Sequence, residues 1–278
     1  MNARSAALGL TLAVAAWAVY AEPIGVGGAR HLLARTGFGV TLAEIAALAP
    51  LERAAAVDHV LAGVRKAALT PVPPGVDRWV DPRRYRDAGA DERKELVRRL
   101  IEDGLALKGW WVSEMLATDS PLTERMTLFW HNHFTSGLQK VRSPRLMLRQ
   151  NELYRRHALG SFAELLHAAS RDPAMLIYLD TARNRQGAPN ENFAREVMEL
   201  FTLGEGRYSE QDIREAARAF TGWSLDPAVG ETLDQSRDRT VARPTAALAL
   251  WILRRIALRV GARFEAAARR RAIVLAGT

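Results

Sequence analysis

The sequence predicts an all-α protein, a multi-helix, bundle-like single domain. Apolar residues recur at helical spacing along most of the chain, and helix-start signals precede these stretches. β-branched residues are sparse, and apolar and polar positions do not alternate over any long window. The composition agrees with a globular domain, since 48% of the 278 residues are hydrophobic and 25% are charged. A chain of this length is able to bury a substantial core.

Residues 1–21 are predicted to be a secretory signal peptide. Arg4 and the free amine form a short positive region, and about 13 uncharged residues follow, from Ala6 to Ala18. This run is shorter than the roughly 20 residues that a membrane-spanning helix needs. The residues at 19–21 resemble a signal-peptidase cleavage site. The alternative interpretation of the segment is a buried N-terminal helix of a cytosolic domain. The glycine-rich residues 24–28 are expected to form a flexible start of the mature chain.

The first half of the domain is predicted to contain four helices. Thr41 with Glu44 forms a capping box for a helix over 42–49, and a second helix covers about 51–62. Residues 70–89, with four prolines and two glycines, are expected to be a surface loop. Asp91 opens the longest helical pattern, and Ser120 before a proline starts a helix that ends near residue 134.

The second half contains further helix signals. Ser161 with Glu164 predicts another capping box, and Asp172 before a proline predicts another helix start. A helix over 191–203 ends before a glycine, as does a final helix that runs from Ser209 through residue 220.

The net charge of +8 is concentrated at the C-terminal end of the chain. Residues 240–278 hold eight arginines and one acid, Glu265, which leaves +1 for the rest. The domain therefore lacks the extended basic surface of a nucleic-acid-binding protein, and no nucleic-acid partner is expected.

Four segments resemble a known family. They are ARHLLARTGFG at 29–39, PLTERMTLFWHNHF at 121–134, PNENFAREVMELFTLG at 189–204 and YSEQDIREAARAFTGW at 208–223. Together, over about 29–226, they are similar to the bacterial family called domain of unknown function 1800. The resemblance implies an exported, mainly helical protein, often encoded beside a secreted protein of sulfatase-like fold, which is the expected partner. It implies no established activity.

Family members continue with a further helical half, whereas here the resemblance is expected to stop near Asp226. The sequence therefore predicts a helical domain over 22–230, incomplete at its C-terminal end, and an Arg/Ala-rich tail over 231–278. On a helical wheel, residues 253–264 place apolar side chains opposite four arginines, a pattern that suits an anionic membrane surface. The favoured interpretation is that the tail replaces a lost half of the domain.

His131, Asn132 and His133 are the first candidate functional residues. Positions two apart on a helix differ by about 200°, so the two histidines are expected on different sides and not as a bidentate metal pair. His133 continues an apolar stripe, which favours a core histidine bonded to a backbone group. A role in a polar site and metal ligation are the alternatives. Glu164 and His167 have the Glu-x-x-His spacing of di-metal bundles, but no second pair exists and Glu164 is expected to be used in the capping box.

Residues 190–199 form the strongest candidate segment. Its acidic side chains share helix faces at three- and four-residue spacing, where they could bind a cation or act as acid and base. A solvated ion-pair network is the alternative. The catalytic candidates are thus His131, His133, Glu196 and Glu199. Candidate ligand-binding residues are Asn132, Asn190, Glu191, Asn192 and Arg195.

Some classes of chemistry are excluded by the sequence. The chain has no cysteine, which rules out disulfides, thiolate metal sites and a cysteine nucleophile. It has no Gly-x-Ser-x-Gly turn, glycine-rich phosphate loop or His-Glu-x-x-His motif. No metal site is expected, and no cofactor is identified. The favoured function is an extracytoplasmic binding or assembly module, and the alternative is an exported hydrolase-like or metal-dependent enzyme. A cleft containing both candidate segments would favour the enzyme.

Overall fold

The computed structural model describes residues 22–185, 187–226 and 228–234, which form twelve α-helices and one small sheet. The all-α prediction is therefore confirmed for the domain. The predicted signal peptide and residues 235–278 of the predicted tail lie outside the described residues. Among the helices that are described, none is long and apolar enough to cross a membrane.

The first three helices form a small unit at the N-terminal end: α1 (Gly25–Thr36), α2 (Leu42–Leu48) and α3 (Arg53–Ala62). The predicted capping box is present, since the Thr41 hydroxyl accepts from the Glu44 amide and the Glu44 carboxylate accepts from the Thr41 amide. The expectation of a flexible start is wrong, because residues 25–28 form the first turn of α1. The small core of this unit contains Ala29, Leu48 and Ala56, all buried.

The next segment contains a short helix, α4 (Pro82–Asp87), within the predicted loop, and the Asp81 carboxylate caps it. The longest helix, α5 (Ala90–Ala117), follows, and then α6 (Pro121–His133), so both predicted helices are confirmed. The Ser120 side chain does not cap α6. Its hydroxyl instead accepts a hydrogen bond from the Arg65 amide at 3.0 Å, which ties the loop after α3 to the start of α6.

Four helices form the middle of the fold: α7 (Leu138–Val141), α8 (Pro144–Arg156), α9 (Phe162–Ala169) and α10 (Pro173–Tyr178). The cap at Asp172 is confirmed, since its carboxylate accepts from the Met175 amide at 2.9 Å. The predicted capping box at Ser161 is wrong. The Ser161 side chain makes no hydrogen bond to α9, whose first turn has no side-chain cap.

The predicted helix over 191–203 is continuous but not uniform. It consists of α11 (Asn192–Glu196) and a π-helix over Val197–Thr202, which we call the π segment. After it, α12 (Glu210–Ala219) begins at the predicted position, where Ser209 and Asp212 form a capping box. The chain then forms an antiparallel pair, β1 (Trp223–Asp226) and β2 (Glu231–Asp234), which the sequence analysis did not predict.

The main core lies where α6, α8, α9, α10, α11, the π segment and α12 meet. Aromatic and aliphatic side chains fill it, with Phe134, Tyr154, Phe193 and Phe220 at most 2% exposed. A second cluster, around Trp110 and Leu107 of α5, packs against α8. Because α8 contacts both clusters, it positions polar side chains between α5 and α6.

Candidate functional site

A cavity of about 720 Å³ lies between α5, α6, α7, α8 and α10, and we call it the groove. This volume is within the range of small-molecule sites. Its lining includes Lys108, Trp111, His131, Asn132, Lys140, Asn151 and Tyr178. None of the described residues that line it carries a carboxylate, so the groove has amide, hydroxyl, aromatic and lysine groups but no side-chain acid.

His131 lies in the wall of the groove. Its Nε2 is 3.2 Å from Nδ2, the side-chain amide nitrogen of Asn151. Its ring packs against the rings of Trp111 and Tyr154, with centroids 4.6 and 4.8 Å away. Burial, together with the positive charge of Arg155, lowers the pKa of His131 to about 3. The imidazole is therefore neutral at physiological pH, and it acts as a hydrogen-bonding group without charge.

Asn151 lines the groove and has a buried side-chain atom without a hydrogen-bond partner among the described residues. Its side chain is 3% exposed, and its Oδ1 has no hydrogen-bond partner among the described residues. If the amide were turned over, the nitrogen would be the group without a partner, because only one of the two atoms faces His131. Buried polar atoms are nearly always paired, so a ligand or an ordered water is expected at this atom.

A buried ion pair supports this wall from behind. The Arg155 guanidinium donates to both oxygens of Glu124, at 2.5 and 2.9 Å, and the Trp111 indole N–H donates to the same carboxylate at 2.9 Å. The three side chains connect α8, α6 and α5. Trp111 is thereby held in a fixed orientation at the edge of the groove.

Asn132 and the loop after α6 provide the more exposed polar groups. Asn132 is exposed, and its backbone carbonyl accepts from the Thr135 hydroxyl at 2.9 Å. Below this loop, Gln150 donates to Asp172 at 2.6 Å, and burial raises the pKa of that carboxyl to about 7. Gly104 allows the close approach of Leu138 beside the groove, since a Cβ atom at this position would be 2.5 Å from Cδ2 of Leu138.

His133 lies on the other side of α6, as the sequence analysis expected. Its Nε2 is 3.0 Å from the carbonyl oxygen of Phe201 in the π segment, and its ring packs against Phe129, Trp130 and Phe134. Burial lowers the pKa of His133. This geometry agrees with the favoured interpretation of a packed histidine bonded to a backbone group, and His133 does not line the groove.

The acidic segment over 190–199 lies outside the groove. Arg195 pairs with Glu191 at 3.3 Å and with Glu210 at 2.8 Å, so two of the candidate ligand-binding residues form a surface network. Glu199 accepts a hydrogen bond from the Tyr208 hydroxyl at 2.7 Å.

The other members of this segment differ in environment. Glu196 is half-buried and has no side-chain hydrogen bond or ion pair with any described residue, and burial followed by repulsion from Glu199 raises its pKa. Asn190 holds the start of α11, because its Oδ1 accepts from the Asn192 amide at 3.0 Å. The Asn192 side chain is exposed.

Across the described parts of the chain, no group of three or more His, Asp or Glu side chains is placed to hold a metal ion. Glu164 is not used in a capping box, contrary to the expectation. Glu164 and His167 both lie on α9, and a di-metal site would need a second Glu-x-x-His pair, which the sequence does not contain.

The structure thus brings His131 and Asn132 together with Asn151, Trp111 and Lys108, and leaves the residues over 190–199 apart from them. The sequence analysis did not identify Asn151. A signal was present, since Gln150 and Asn151 are adjacent amides in a helix that buries Leu148 and Tyr154. Their partners come from other helices, and the sequence does not specify those contacts.

Comparison with known proteins gives one match. The family described as "Protein of unknown function (DUF1800)" matches residues 31–249 of the chain. This range extends beyond Asp226, where the resemblance was expected to stop, and includes the first part of the predicted tail. No curated protein and no solved structure shows significant similarity to the chain.

Proposed function

The chain belongs to the DUF1800 family of proteins of unknown function, and we propose that it is an extracytoplasmic helical binding protein whose ligand occupies the groove. The observation that carries this proposal is the unpartnered Asn151 amide in a cavity of about 720 Å³. A ligand that offers a hydrogen bond to this amide would remove the cost of the unsatisfied atom, which is about 1–3 kcal/mol for a buried group.

The groove suits a ligand rich in hydroxyl or amide groups, such as a saccharide or a short peptide segment. Of its two lysines, Lys140 is paired with Asp180 at 2.7 Å, and Lys108 adds a positive charge. Asn132, His131 and Asn151 offer hydrogen bonds of both kinds, and Trp111 and Tyr178 offer aromatic surface. His131 is neutral, so it contributes no charge to the wall. Small-molecule sites commonly combine apolar walls with a few placed polar groups in this way.

Binding is better supported than hydrolysis. The enzyme hypothesis used the two histidines together with the acids over 191–199, and of these groups only His131 lines the groove. General acid and base catalysis by a carboxylate requires hydrogen-bonding distance to the reacting group, and no carboxylate lines the groove among the described residues. A secreted protein of sulfatase-like fold stays the proposed partner, on the family resemblance alone.

The test uses the full chain and a panel of neutral oligosaccharides and short uncharged peptides. Tryptophan fluorescence is a suitable measurement, because Trp111 lines the groove. Asn151→Ala and Asn132→Ala are expected to weaken binding about tenfold, the effect of a lost hydrogen bond worth about 1.4 kcal/mol. Asn132 is exposed, so its replacement tests the groove without a folding defect.

Asn192→Ala is the matched control, because Asn192 is an exposed asparagine outside the groove. Its affinity is expected to equal that of the unmodified chain. If Asn192→Ala weakens binding while Asn132→Ala and Asn151→Ala do not, the ligand site lies on α11 and the groove proposal is wrong.

A further inference from the structure

A second, smaller pocket lies between α4, α5 and the start of α8, away from the groove. Its volume is about 60 Å³, and four arginines contribute to its lining: Arg78, Arg84, Arg99 and Arg142. A water molecule needs about 10–15 Å³ measured in this way, so the pocket has room for a few waters or for one small anionic group. We call it the arginine pocket.

The charges around the arginine pocket are unbalanced. Asp103 is the one carboxylate among the described residues that line it. Arg84 is paired with Glu92 and Arg99 with Glu95, so two of the four positive charges are compensated at the surface. Arg78 and Arg142 form no ion pair with any described carboxylate, and they leave an excess of positive charge at the pocket.

Two backbone features mark the pocket, and the first of them adds to its positive charge. Ser143 and Pro144, at the start of the 13-residue helix α8, line the pocket, so the positive end of that helix dipole faces the arginines. Arg142 itself has a left-handed backbone with φ 54°, which is unfavourable for a residue with a side chain. Its guanidinium lies 5.5 Å from the centre of the Tyr85 ring, which holds it beside the pocket.

We propose that the arginine pocket binds one tetrahedral oxyanion, a phosphate or sulfate group. Planar guanidinium groups bind such oxygens through paired hydrogen bonds, and arginine is the preferred residue for this recognition. The volume of the pocket is sufficient for a single such group. A group of this kind could be a soluble ion or metabolite, or the headgroup of a lipid, since the chemistry that recognises them is the same.

The first test is calorimetric titration of the full chain with inorganic phosphate and with sulfate at low ionic strength. Saturable binding at one site is expected, and it should weaken as salt is added, because the arginines are exposed. Arg142→Gln and Arg78→Gln should each lower the affinity about tenfold, which corresponds to one charge-assisted hydrogen bond. Thermal melts confirm that each variant is folded.

Two further variants make the result specific. Arg30→Gln removes an exposed arginine of α1, far from the pocket in sequence and not part of its lining, and should leave the affinity unchanged. Asp103→Asn removes the negative charge at the pocket and should raise the affinity several-fold. The proposal is overturned if phosphate and sulfate show no saturable binding, or if Arg30→Gln weakens binding as much as Arg142→Gln.

The source of the group is tested with vesicles of phosphatidylcholine with and without phosphatidic acid. Binding that requires phosphatidic acid, is displaced by free phosphate and is lost in Arg142→Gln assigns the group to a lipid. Phosphate binding that is lost in Arg142→Gln, without such vesicle binding, assigns it to a soluble ligand. Vesicle binding that is unchanged in Arg142→Gln shows that another surface of the protein binds the lipid. If the chain also fails to bind free phosphate, this result contradicts the proposal.

Discussion

Arg155 and Glu124 form an ion pair in the interior of the protein, with side chains only 1% and 2% exposed. The pair connects α8 with α6, and Trp111 of α5 shares the carboxylate. The Nη1 atom of Arg155 has no hydrogen-bond partner among the described residues. The wall of the groove therefore depends on a pair whose two charges have no access to solvent.

Glu124→Gln is expected to destabilise the protein by about 3–5 kcal/mol, because it leaves the Arg155 charge buried without a counter-charge. Chemical denaturation measures this cost. Glu102→Gln is the matched control, since Glu102 pairs with Arg98 on the exposed side of α5 and surface pairs contribute little. Equal stability of Glu124→Gln and the unmodified protein would contradict the role given to the pair.

His133→Ala is expected to cost about 1–3 kcal/mol, because it leaves the Phe201 carbonyl without its side-chain partner and removes ring contacts. Thermal melts are the measurement. Asn132→Ala, the exposed neighbour on the same helix, should melt at the temperature of the unmodified protein. A His133→Ala variant of normal stability that had lost ligand binding would make His133 a functional residue.

Glu196→Gln is expected to raise the melting temperature at neutral pH. The folded-state pKa of Glu196 is raised by burial and by Glu199, so its contribution to stability is present below pH 4.5 and is lost as pH rises through the raised value. Glutamine does not ionise, so the Glu196→Gln variant does not lose this stability as pH rises. Glu215→Gln on α12 is an exposed control. A lower melting temperature would mean that Glu196 has a partner that the described contacts do not contain.

Acidification is expected to destabilise the protein through His131. Its pKa falls from 6.5 to about 3 on folding, so its contribution is present above pH 6.5 and is lost as pH falls toward 3. Asp172 acts in the opposite sense, because its pKa rises from 3.8 to about 7 and its contribution is lost as pH rises. The measurement is therefore the difference in melting temperature between the unmodified protein and His131→Asn, which should shrink between pH 6.5 and 3. A constant difference would show that His131 does not titrate in this range.

Export is expected to remove the first 21 residues. The predicted signal peptide has a charged start, an apolar run and a small-residue site in that order. N-terminal sequencing of protein from an exporting host should give a chain that begins near Glu22. Recovery of Met1 on protein in the cytosolic fraction would end this interpretation.

The sequence was sufficient for the parts of the fold that depend on neighbouring residues. The capping box at Thr41 forms as predicted and α12 starts at Ser209 as predicted, because both signals lie within one helical turn. The opposite orientation of His131 and His133 follows from the fixed rotation per residue of a helix. These features require no knowledge of how the helices pack.

The sequence was not sufficient where distant segments meet. The partner of His131 is Asn151, on another helix, and the partner of His133 is a carbonyl of the π segment. The local pattern also did not distinguish the π segment from an α-helix. The π segment buries Val197 and Phe201, and their four-residue spacing is equally typical of an α-helix. Residues 223–226 alternate apolar and polar side chains, but four residues are too few to indicate a strand by themselves, and residues 231–234 do not alternate.

The 28-residue helix α5 lines the groove with Gly104 to Trp111 and the arginine pocket with Leu96 to Asp103. The short helix α7 likewise borders the groove and is followed directly by Arg142. If occupation of one site altered the spacing of α5 and α7, it would alter the other site too, and thermodynamic reciprocity would make each ligand change the affinity of the other by the same factor. An affinity of the groove measured in phosphate buffer would then differ from one measured without phosphate.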